Sequence, residues 1–355
     1  MGSMWGNRVK ISLFGESHGG GVGVVIDGLP SGEELDIDKI DAHMKRRAPG
    51  GMPWSTKRTE SDAVSILSGL YRGKTTGTPL CGVIENADTH SADYEKLTAT
   101  PRPGHADLTA LARYNGANDP RGGGHFSARV MAPFTFAGAI CLQLLERRQV
   151  KVFSHIYRIG EIADSPYDMS SAPDSTSHKS FPVLDDEKGR EMTAYIDSVR
   201  QSGDSVGGVV ECLAAGFPAG LGDPIFQNVE SRLSALLFSI PAVKGVEFGS
   251  GFSVAARHGS ENNDVPEITE KGIRLRTNHG GGVEGGISNG MPIVFRCAFK
   301  PTPSISREQD TINLMTMTRD TLRIEGRHDP CVVPRAVPIV ESATAIGLFD
   351  ILLDS

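Results

Sequence analysis

The chain has 355 residues, of which 39% are hydrophobic and 22% are charged, a composition that excludes disordered and fibrous proteins. Its formal net charge of -7 argues against a nucleic-acid partner, because an acidic surface repels a phosphate polymer. No stretch approaches the roughly 20 apolar residues of a membrane-spanning helix, and the N-terminus lacks the layout of a secretory signal, so we expect a cytoplasmic protein that does not bind membranes.

The first predicted element is a β-hairpin. Residues 8–14 alternate apolar and polar side chains as a half-buried strand does, and residues 22–26 resemble its partner strand. Between them, the glycine-rich residues 15–21 supply the turn.

Apolar residues at helical spacing predict several helices further along the chain. The first begins behind the N-cap Asp36 and ends with Arg46 and Arg47, and the second is rich in alanine and leucine, which suggests burial on most sides. The predicted helices cover residues 37–47, 127–148, 224–240 and 336–353.

Residues 207–214 and 292–300 are predicted strands. Residues 162–188 are dense in Ser, Asp and Pro and are predicted to form a polar surface excursion, not a linker between domains. The mixture of a hairpin and buried helices favours one α+β domain over residues 4–355, in place of a doubly wound parallel sheet.

The five cysteines are odd in number, widely spaced and never in a CxxC arrangement. This pattern predicts neither a disulfide framework nor a zinc site, so we expect buried, reduced thiols and no metal.

Two short turns each carry a histidine. Residues 15–20 place Ser17 beside His18, and residues 102–107 present Arg102 and His105 on a Pro-Gly turn. An imidazole can move a proton near neutral pH, so either residue is a candidate acid or base. Each turn could equally be an ordinary loop whose histidine faces water.

Two glycine runs lead into different predicted elements. Residues 121–129 have arginine at both ends and lead into a predicted helix, so their amides are expected to form an anion site at the positive end of that helix; a flexible linker is the alternative. Residues 278–286 contain a GxGxxG match, but a turn and a strand come after it instead of a helix, which argues against a dinucleotide site.

Two further segments carry polar groups. Residues 300–304 combine an ammonium and two hydroxyls with two prolines, which suits a phosphate or a polar ring edge, or simply a Pro-rich strand end. Arg327 and Asp329 lie two residues apart and form either a surface ion pair or an active-site couple.

Together these segments resemble the signatures of the chorismate synthase family, in the family's order and along nearly the whole chain. The matching segments are GESHG at 15–19, RPGHAD at 102–107, RGGG at 121–124, the stretch 207–226, AVKGVEFGSGF at 242–252, NHGGG at 278–282, FKPTPSI at 299–305 and GRHDPCVVPRAVP at 326–338.

The resemblance implies a homotetramer whose subunit is a β-α-β sandwich, with helices packed between two antiparallel sheets. It implies reduced FMN as cofactor and a 1,4-anti elimination in which 5-enolpyruvylshikimate 3-phosphate loses its 3-phosphate and a C6 hydrogen to give chorismate. The chain lacks the extra length of fungal relatives with built-in flavin reductase activity, so we expect an external flavin reductase to supply the reduced FMN. The resemblance also associates the family with NADP.

Residue by residue, the resemblance implies three catalytic groups: His18 to protonate the departing phosphate, His105 to steady the flavin's charge, and Asp329 as relay for the C6 proton. The implied substrate-binding residues are Ser17, Arg47, Arg102, Arg129 and Arg327. The implied FMN-binding residues are His125, Phe126, Ser127, Pro241, Ala242, Gly285, Lys300, Pro301, Thr302, Pro303, Ser304 and Arg327.

The chain departs from the family pattern at two places. His125 and Phe126 stand where the family usually has Arg and Ser, and residues 50–54 lack an arginine that the family often carries there, for which Lys57 or Arg58 is a substitute.

Three other functions compete with this interpretation: a non-catalytic sensor that keeps the fold, a flavin oxidoreductase with net hydride transfer, and a scaffold. The catalytic pattern argues against the sensor, the lack of a nicotinamide motif argues against the oxidoreductase, and a scaffold leaves the arginine and glycine pattern unexplained. The interpretation requires that distant loops bring His18 and His105 to the same cavity.

Overall fold

A computed structural model describes residues 2–50, 52, 54, 62–86, 99–168, 176–270, 272–324 and 328–355. Two five-stranded antiparallel sheets enclose a layer of helices, which confirms the predicted α+β sandwich. Lys57, Arg58 and Arg327 lie outside the described residues.

The first sheet has the strand order β1-β2-β3-β7-β4 and the second has the order β11-β16-β10-β8-β9. The remaining short strands pair as hairpins outside these sheets, β5 with β6, β12 with β13, β14 with β15 and β17 with β18. The strand bounds are β1 Met4–Trp5, β2 Lys10–Gly15, β3 Gly21–Asp27, β4 Ser65–Ser68, β5 Leu70–Tyr71, β6 Lys74–Thr75, β7 Leu80–Glu85, β8 Lys151–Ile159, β9 Ile162–Ala163, β10 Gly208–Ala215, β11 Val243–Phe248, β12 Pro266–Thr269, β13 Gly272–Leu275, β14 Val283–Glu284, β15 Ile287–Ser288, β16 Ile293–Phe299, β17 Gln309–Asn313 and β18 Thr318–Leu322.

Two long apolar helices, α3 and α7, pack against each other and form the centre of the layer between the sheets. Helices α1 and α5 also pack against α7. The helix bounds are α1 Ile37–Arg47, α2 Asp107–Tyr114, α3 Met131–Glu146, α4 Asp186–Gln201, α5 Val229–Ser239, α6 Gly259–Asn262 and α7 Val333–Asp354.

Length and composition alone would let two helices cross a membrane, Ala128–Glu146 and Val333–Asp354. The expectation that no stretch reaches this length was therefore wrong. In each, 89% of the apolar window is buried inside the fold, which is typical of core helices and consistent with a soluble protein.

The local predictions near the N-terminus are confirmed. Strands β2 and β3 pair in register, with Lys10 opposite Asp27 and Gly15 opposite Val22. Helix α1 begins where the Asp36 side chain accepts a hydrogen bond from the Lys39 amide at 3.1 Å, because a carboxylate satisfies an otherwise unpaired N–H at a helix start.

Three predicted helices begin at other residues. The helix predicted at 127–148 is α3, Met131–Glu146, and a 3-10 turn at Ala128–Val130 precedes it. Helix α5 begins at Val229, behind the N-cap Asn228, instead of at residue 224, and Ile225 ahead of it is 71% exposed. Helix α7 begins three residues before the predicted start, with Pro334 in its first turn, where a proline costs no hydrogen bond.

The segment at 162–188 is more integrated than its composition suggests. In its described part, Tyr167, Phe181 and Val183 are buried, and strand β9 pairs with β8. Residues 169–175 lie outside the described residues.

The five cysteines carry free thiols, of which all but Cys81 are buried. Burial raises the pKa of the Cys331 thiol to about 12, so this sulfur stays protonated and unreactive.

Candidate active site

A cavity of about 760 Å³ opens where the end of α1, the starts of α3 and α7 and the end of β16 meet. It gathers most of the predicted site residues into one place, although they come from distant parts of the chain. Predicted residues that line it are Arg47, Arg102, His105, His125, Phe126, Ser127, Arg129, Pro241, Ala242, Lys300, Thr302, Pro303, Ser304 and Asp329.

Four predicted residues are not among those that line the cavity: Ser17, His18, Gly285 and Pro301. Gly285 occupies the turn between β14 and β15, with a φ of 62°. Pro301 follows Lys300 directly in the chain, so it stands next to the lining without being part of it.

Ser17 and His18 lie directly behind the glycine loop at 121–124. The Ser17 amide donates to the Gly124 carbonyl at 3.1 Å. A Cβ on Gly122 would collide with the His18 imidazole and would come within 2.8 Å of the Ser17 hydroxyl oxygen. Because Gly122 itself lines the cavity, its missing side chain is what lets these two groups approach the cavity wall.

The same loop contacts the second predicted histidine. A Cβ on Gly123 would lie 3.1 Å from Cε1 and 3.3 Å from Nε2 of His105. The two imidazoles therefore flank one loop, but only His105 is among the residues that line the cavity, so the requirement that both histidines reach the same cavity is met for His105 and not for His18.

His105 belongs to a partly buried ionic cluster with Arg102 and Asp107. Its Nδ1 lies 2.7 Å from Asp107 Oδ1 and 3.0 Å from Arg102 Nη2, and only one of these contacts can be a hydrogen bond, since a single ring nitrogen either donates or accepts. We assign the Nδ1 proton to the carboxylate, which leaves Nε2 on the side of Gly123.

Asp107 stays ionised in this cluster. Burial raises the pKa of its carboxyl, but hydrogen bonds from Arg102 and His105 outweigh this effect and hold the pKa well below its usual range. Arg102 donates from Nε at 2.8 Å and from Nη2 at 2.8 Å, a two-armed contact that fixes the guanidinium plane.

Arg47 and Arg129 share one carboxylate, that of Asp62. Arg47 donates to Asp62 Oδ2 from Nε at 3.1 Å and from Nη2, and Arg129 donates to Asp62 Oδ1 from Nη1. All three side chains are at least nine-tenths buried, yet both arginines line the cavity. Sequence reasoning identified the arginines and missed the carboxylate, which lies in no recognised segment.

Asp329 is paired with an arginine that was not predicted as a site residue. Arg335 Nη1 donates to Asp329 Oδ2 at 2.5 Å, and Arg335 Nε donates to the Arg47 carbonyl at 2.9 Å. A lone arginine near the start of the apolar helix α7 is the signal that could have identified it.

Lys244 also lines the cavity and was missed. Burial lowers the pKa of Lys300, and the positive charge of Lys244 lowers it further. The Lys300 ammonium donates to the Gly104 carbonyl, which joins the end of β16 to the Pro-Gly turn.

The residues that depart from the family pattern have local partners. His125 Nδ1 lies 2.9 Å from the Gly15 carbonyl and therefore carries the proton, while Nε2 accepts from the Ser3 hydroxyl at 2.9 Å. Phe126 stacks edge-on against Tyr114 with ring centroids 6.2 Å apart.

The glycines of the predicted anion site do not form the first turn of helix α3. Gly122, Gly123 and Gly124 all have positive φ values and do not continue into α3. Residues 128–131, at the start of that helix, line the cavity together with Gly122, and the amides at the positive end of the helix belong to residues 128–131.

The charge of the cavity is strongly one-sided. Among the described residues, six cationic side chains line it against one carboxylate, Asp329. The cationic residues are Arg47, Arg102, Arg129, Lys244, Lys300 and Arg335. Such a cavity selects a ligand with several negative charges.

Comparison with known proteins agrees with this chemistry. Residues 9–353 match the family described as "Chorismate synthase". The chain is 44% identical over 353 residues to a chorismate synthase of Dehalococcoides mccartyi and 45% identical over 351 residues to one of Thermococcus kodakarensis, covering 99% of this chain and 97% of the relative in both cases. A crystal structure of a chorismate synthase superposes with a TM-score of 0.77 at 29% identity, covering 99% of this chain and 93% of the other.

Proposed function

The chain belongs to the chorismate synthase family, whose members are lyases, and from that premise we propose that it eliminates phosphate from 5-enolpyruvylshikimate 3-phosphate to give chorismate, with reduced FMN as cofactor. One observation carries the proposal: six cationic side chains surround a cavity whose glycine loop contacts two imidazoles. A substrate with a phosphate and two carboxylates matches that excess of positive charge.

Arginines would bind the anionic groups and fix their orientation. The planar guanidinium offers paired donors to an oxyanion, so a fixed guanidinium selects both the place and the angle of the group it binds. Arg102 is fixed in this way by Asp107, and Arg47 and Arg129 are fixed by Asp62.

His18 would donate a proton to the departing phosphate from behind Gly122, next to the cavity. His105, with Nδ1–H donated to Asp107, would present Nε2 to the region in front of Gly123. Asp329, held by Arg335, would receive the C6 hydrogen as a proton. The 1,4 elimination then forms one C=C bond while one C–H and one C–O bond break, with no net change in redox state.

The residues that the resemblance assigns to FMN fit such a group. Thr302 lines the cavity, and its hydroxyl oxygen is buried with no hydrogen-bond partner among the described residues, so a bound ligand would supply one. The cavity volume is in the range of small-molecule sites. Thr302, Ser304, Lys300 and the segment 125–127 would hold the flavin, which when bound lends electron density transiently to the substrate and recovers it.

We also propose a cytoplasmic homotetramer that receives reduced FMN from a separate flavin reductase. Exposed apolar side chains support assembly: Ile268 and Ile273 pair across the β12–β13 hairpin and are 92% and 83% exposed, and Phe252 is 84% exposed.

The decisive assay mixes the purified protein anaerobically with chemically reduced FMN and 5-enolpyruvylshikimate 3-phosphate. The proposal requires chorismate and free phosphate in equal amounts. Consumption of NADPH in step with product would favour an oxidoreductase, and tight ligand binding without turnover would favour a sensor; either result would overturn the proposal.

A further inference from the structure

We propose that Asp62 is a positioning residue that holds the guanidiniums of Arg47 and Arg129 together at the cavity wall, so that both contact one anionic group of the ligand. The identity of that ligand rests on the function proposed above, whereas the arrangement of the three side chains does not.

The geometry separates the carboxylate from the ligand. Arg47 and Arg129 line the cavity, while Asp62 does not and is 3% exposed. Each carboxylate oxygen serves a different arginine, Oδ2 for Arg47 and Oδ1 for Arg129. The carboxylate therefore lies behind the two guanidiniums and ties them to each other.

Asp62 joins parts of the chain that are otherwise far apart in sequence. Arg47 is the last residue of α1, Arg129 belongs to the turn that leads into α3, and Asp62 lies shortly before β4 with a φ of 49°. The shared carboxylate thus links the end of one core helix to the start of another, at the point where both reach the cavity.

The two arginines depend on Asp62 to different degrees. Arg129 also donates from Nε to Asn86 Oδ1 at 3.0 Å and from Nη2 to the Glu85 carbonyl at 3.1 Å. For Arg47, the hydrogen bonds of the guanidinium to described residues all go to Asp62. The orientation of Arg47 therefore depends on Asp62 more strongly than that of Arg129.

Two roles for Asp62 predict effects of opposite sign. Burial raises the pKa of the Asp62 carboxyl, but the charges of Arg47 and Arg129 outweigh this effect and lower it, so the group is an anion. An anion that only neutralises the cavity weakens the binding of another anion. An anion that positions two guanidiniums strengthens it, because unshielded guanidiniums at this spacing repel each other and turn apart.

The test is Asp62→Asn, which keeps the shape and removes the charge. We expect the dissociation constant of inorganic phosphate, measured by calorimetry on the full chain without flavin, to rise about 10-fold. In the turnover assay, KM should rise by a similar factor while kcat changes less than about threefold. A dissociation constant that stays the same or falls would overturn the proposal.

Asp350→Asn is the matched control. The Arg232–Asp350 pair has the same side-chain exposures as the Arg129–Asp62 pair, 6% and 1%, and neither of its residues is among those that line the cavity. Loss of the charge at Asp350 should lower the melting temperature about as much as loss of the charge at Asp62, without a change in phosphate affinity. Equal losses of affinity in both variants would mean that Asp62 acts only through stability.

If Asp62→Asn does not fold, the coupling can be measured through the arginines. Arg47→Lys and Arg129→Lys each leave Asp62 paired with the other arginine. A shared positioning carboxylate predicts that the double variant loses less phosphate affinity than the product of the two single losses. Losses that multiply would show independent arginines and overturn the proposal. Because phosphate binding needs neither flavin nor turnover, failure of the chorismate assay would leave these measurements interpretable.

Discussion

Buried ion pairs lie both around the cavity and far from it. The two groups differ in whether their charged side chains are hydrogen-bonded only within the protein or also face the cavity. The Arg232–Asp350 pair is remote from the cavity. The Asp350 carboxylate accepts hydrogen bonds from the amides of Asn7, Arg8 and Val9 and from the Arg232 guanidinium. This carboxylate joins the chain before β2 to helix α7, and neither Asp350 nor Arg232 is among the residues that line the cavity described above.

The ion pairs at the cavity are arranged differently. Asp62 and Asp107 lie behind their arginines, and the arginines line the cavity. An ion pair whose carboxylate is fully hydrogen-bonded within the protein stabilises the fold. An ion pair whose arginine lines the cavity offers a ligand a guanidinium whose orientation is already fixed. Substitutions in the remote group should therefore change stability, and those at the cavity should change binding and turnover.

The largest expected effect is that of the two imidazoles. His18→Ala and His105→Ala should each retain the fold and lose about 1,000-fold in kcat, because a proton donor such as His18 and a charge-stabilising group such as His105 each contribute factors of about this size. Chorismate formation under the anaerobic assay measures the loss, and circular dichroism checks the fold. Wild-type rates in either variant would remove that histidine from the mechanism.

His155→Ala is the remote counterpart. His155, on strand β8 of the second sheet, is fully buried and bridges Asp164, at 3.3 Å, and Glu211, at 3.0 Å. Its removal leaves two carboxylates without their shared partner, so we expect a lower melting temperature with kcat per folded molecule unchanged.

The next effect tests the glycine loop. Gly122→Ala introduces a Cβ against the His18 imidazole at a φ of 59°, so the loop or the imidazole must shift, and we expect kcat to fall about 100-fold. Gly32→Ala is the control, since Gly32 also has a positive φ, 82°, while a Cβ there would meet no atom within 4 Å. Equal activity losses in both variants would assign the effect to strain alone.

Much of the fold was predictable because it follows local rules. The β2–β3 hairpin shows alternation, α1 has a capping carboxylate, and α3 and α7 are apolar over most of their length. The start of α5 was not predictable from spacing alone. Ile225 fits the apolar pattern of the helix, but the helix begins only after the Asn228 cap.

The site was predictable where a motif carried it and not where packing created it. His18 and His105 are marked by their turns, whereas the contact of both with one glycine loop depends on tertiary structure. Asp62 lies in no recognised segment, and a charged residue in a loop is usually a solvated one. Lys244 and Arg335 lie in two of the matching segments, but the sequence does not show that their side chains reach the cavity.

The buried His43, which is not among the residues that line the cavity, should make the stability of the protein depend on pH. His43 donates from Nε2 to the Pro338 carbonyl at 3.2 Å and to the Ser342 hydroxyl oxygen at 3.0 Å. Burial lowers the pKa of His43 to about 4, with the charge of Glu341 opposing this effect and that of Arg46 adding to it. Because the unfolded chain binds the proton first, stability should fall by on the order of 3 kcal/mol as pH drops from about 6.5 to 4.

His43→Gln should flatten this loss, and the difference between variant and wild-type unfolding curves isolates the contribution. His155 acts in the opposite direction: burial lowers its pKa, but its two carboxylate partners raise it above the usual value, so its contribution is lost as pH rises. A difference curve without slope between pH 6.5 and 4 would contradict a neutral buried His43.

The smallest expected effect is that of the Thr302 hydroxyl, which should influence ligand binding and protein stability in opposite directions. The Thr302 hydroxyl is buried without a partner among the described residues, and a buried unpaired hydroxyl costs about 1 kcal/mol or more, so Thr302→Val should raise the melting temperature of the flavin-free protein. If the hydroxyl exists to bond the flavin, the same variant should bind reduced FMN about fivefold more weakly, measured by anaerobic fluorescence titration. A stabilised variant with unchanged flavin affinity would place the flavin away from Thr302, and a destabilised variant would mean that the hydroxyl is satisfied within the protein. A higher melting temperature together with weaker flavin binding is expected of a hydroxyl that destabilises the fold and binds the ligand.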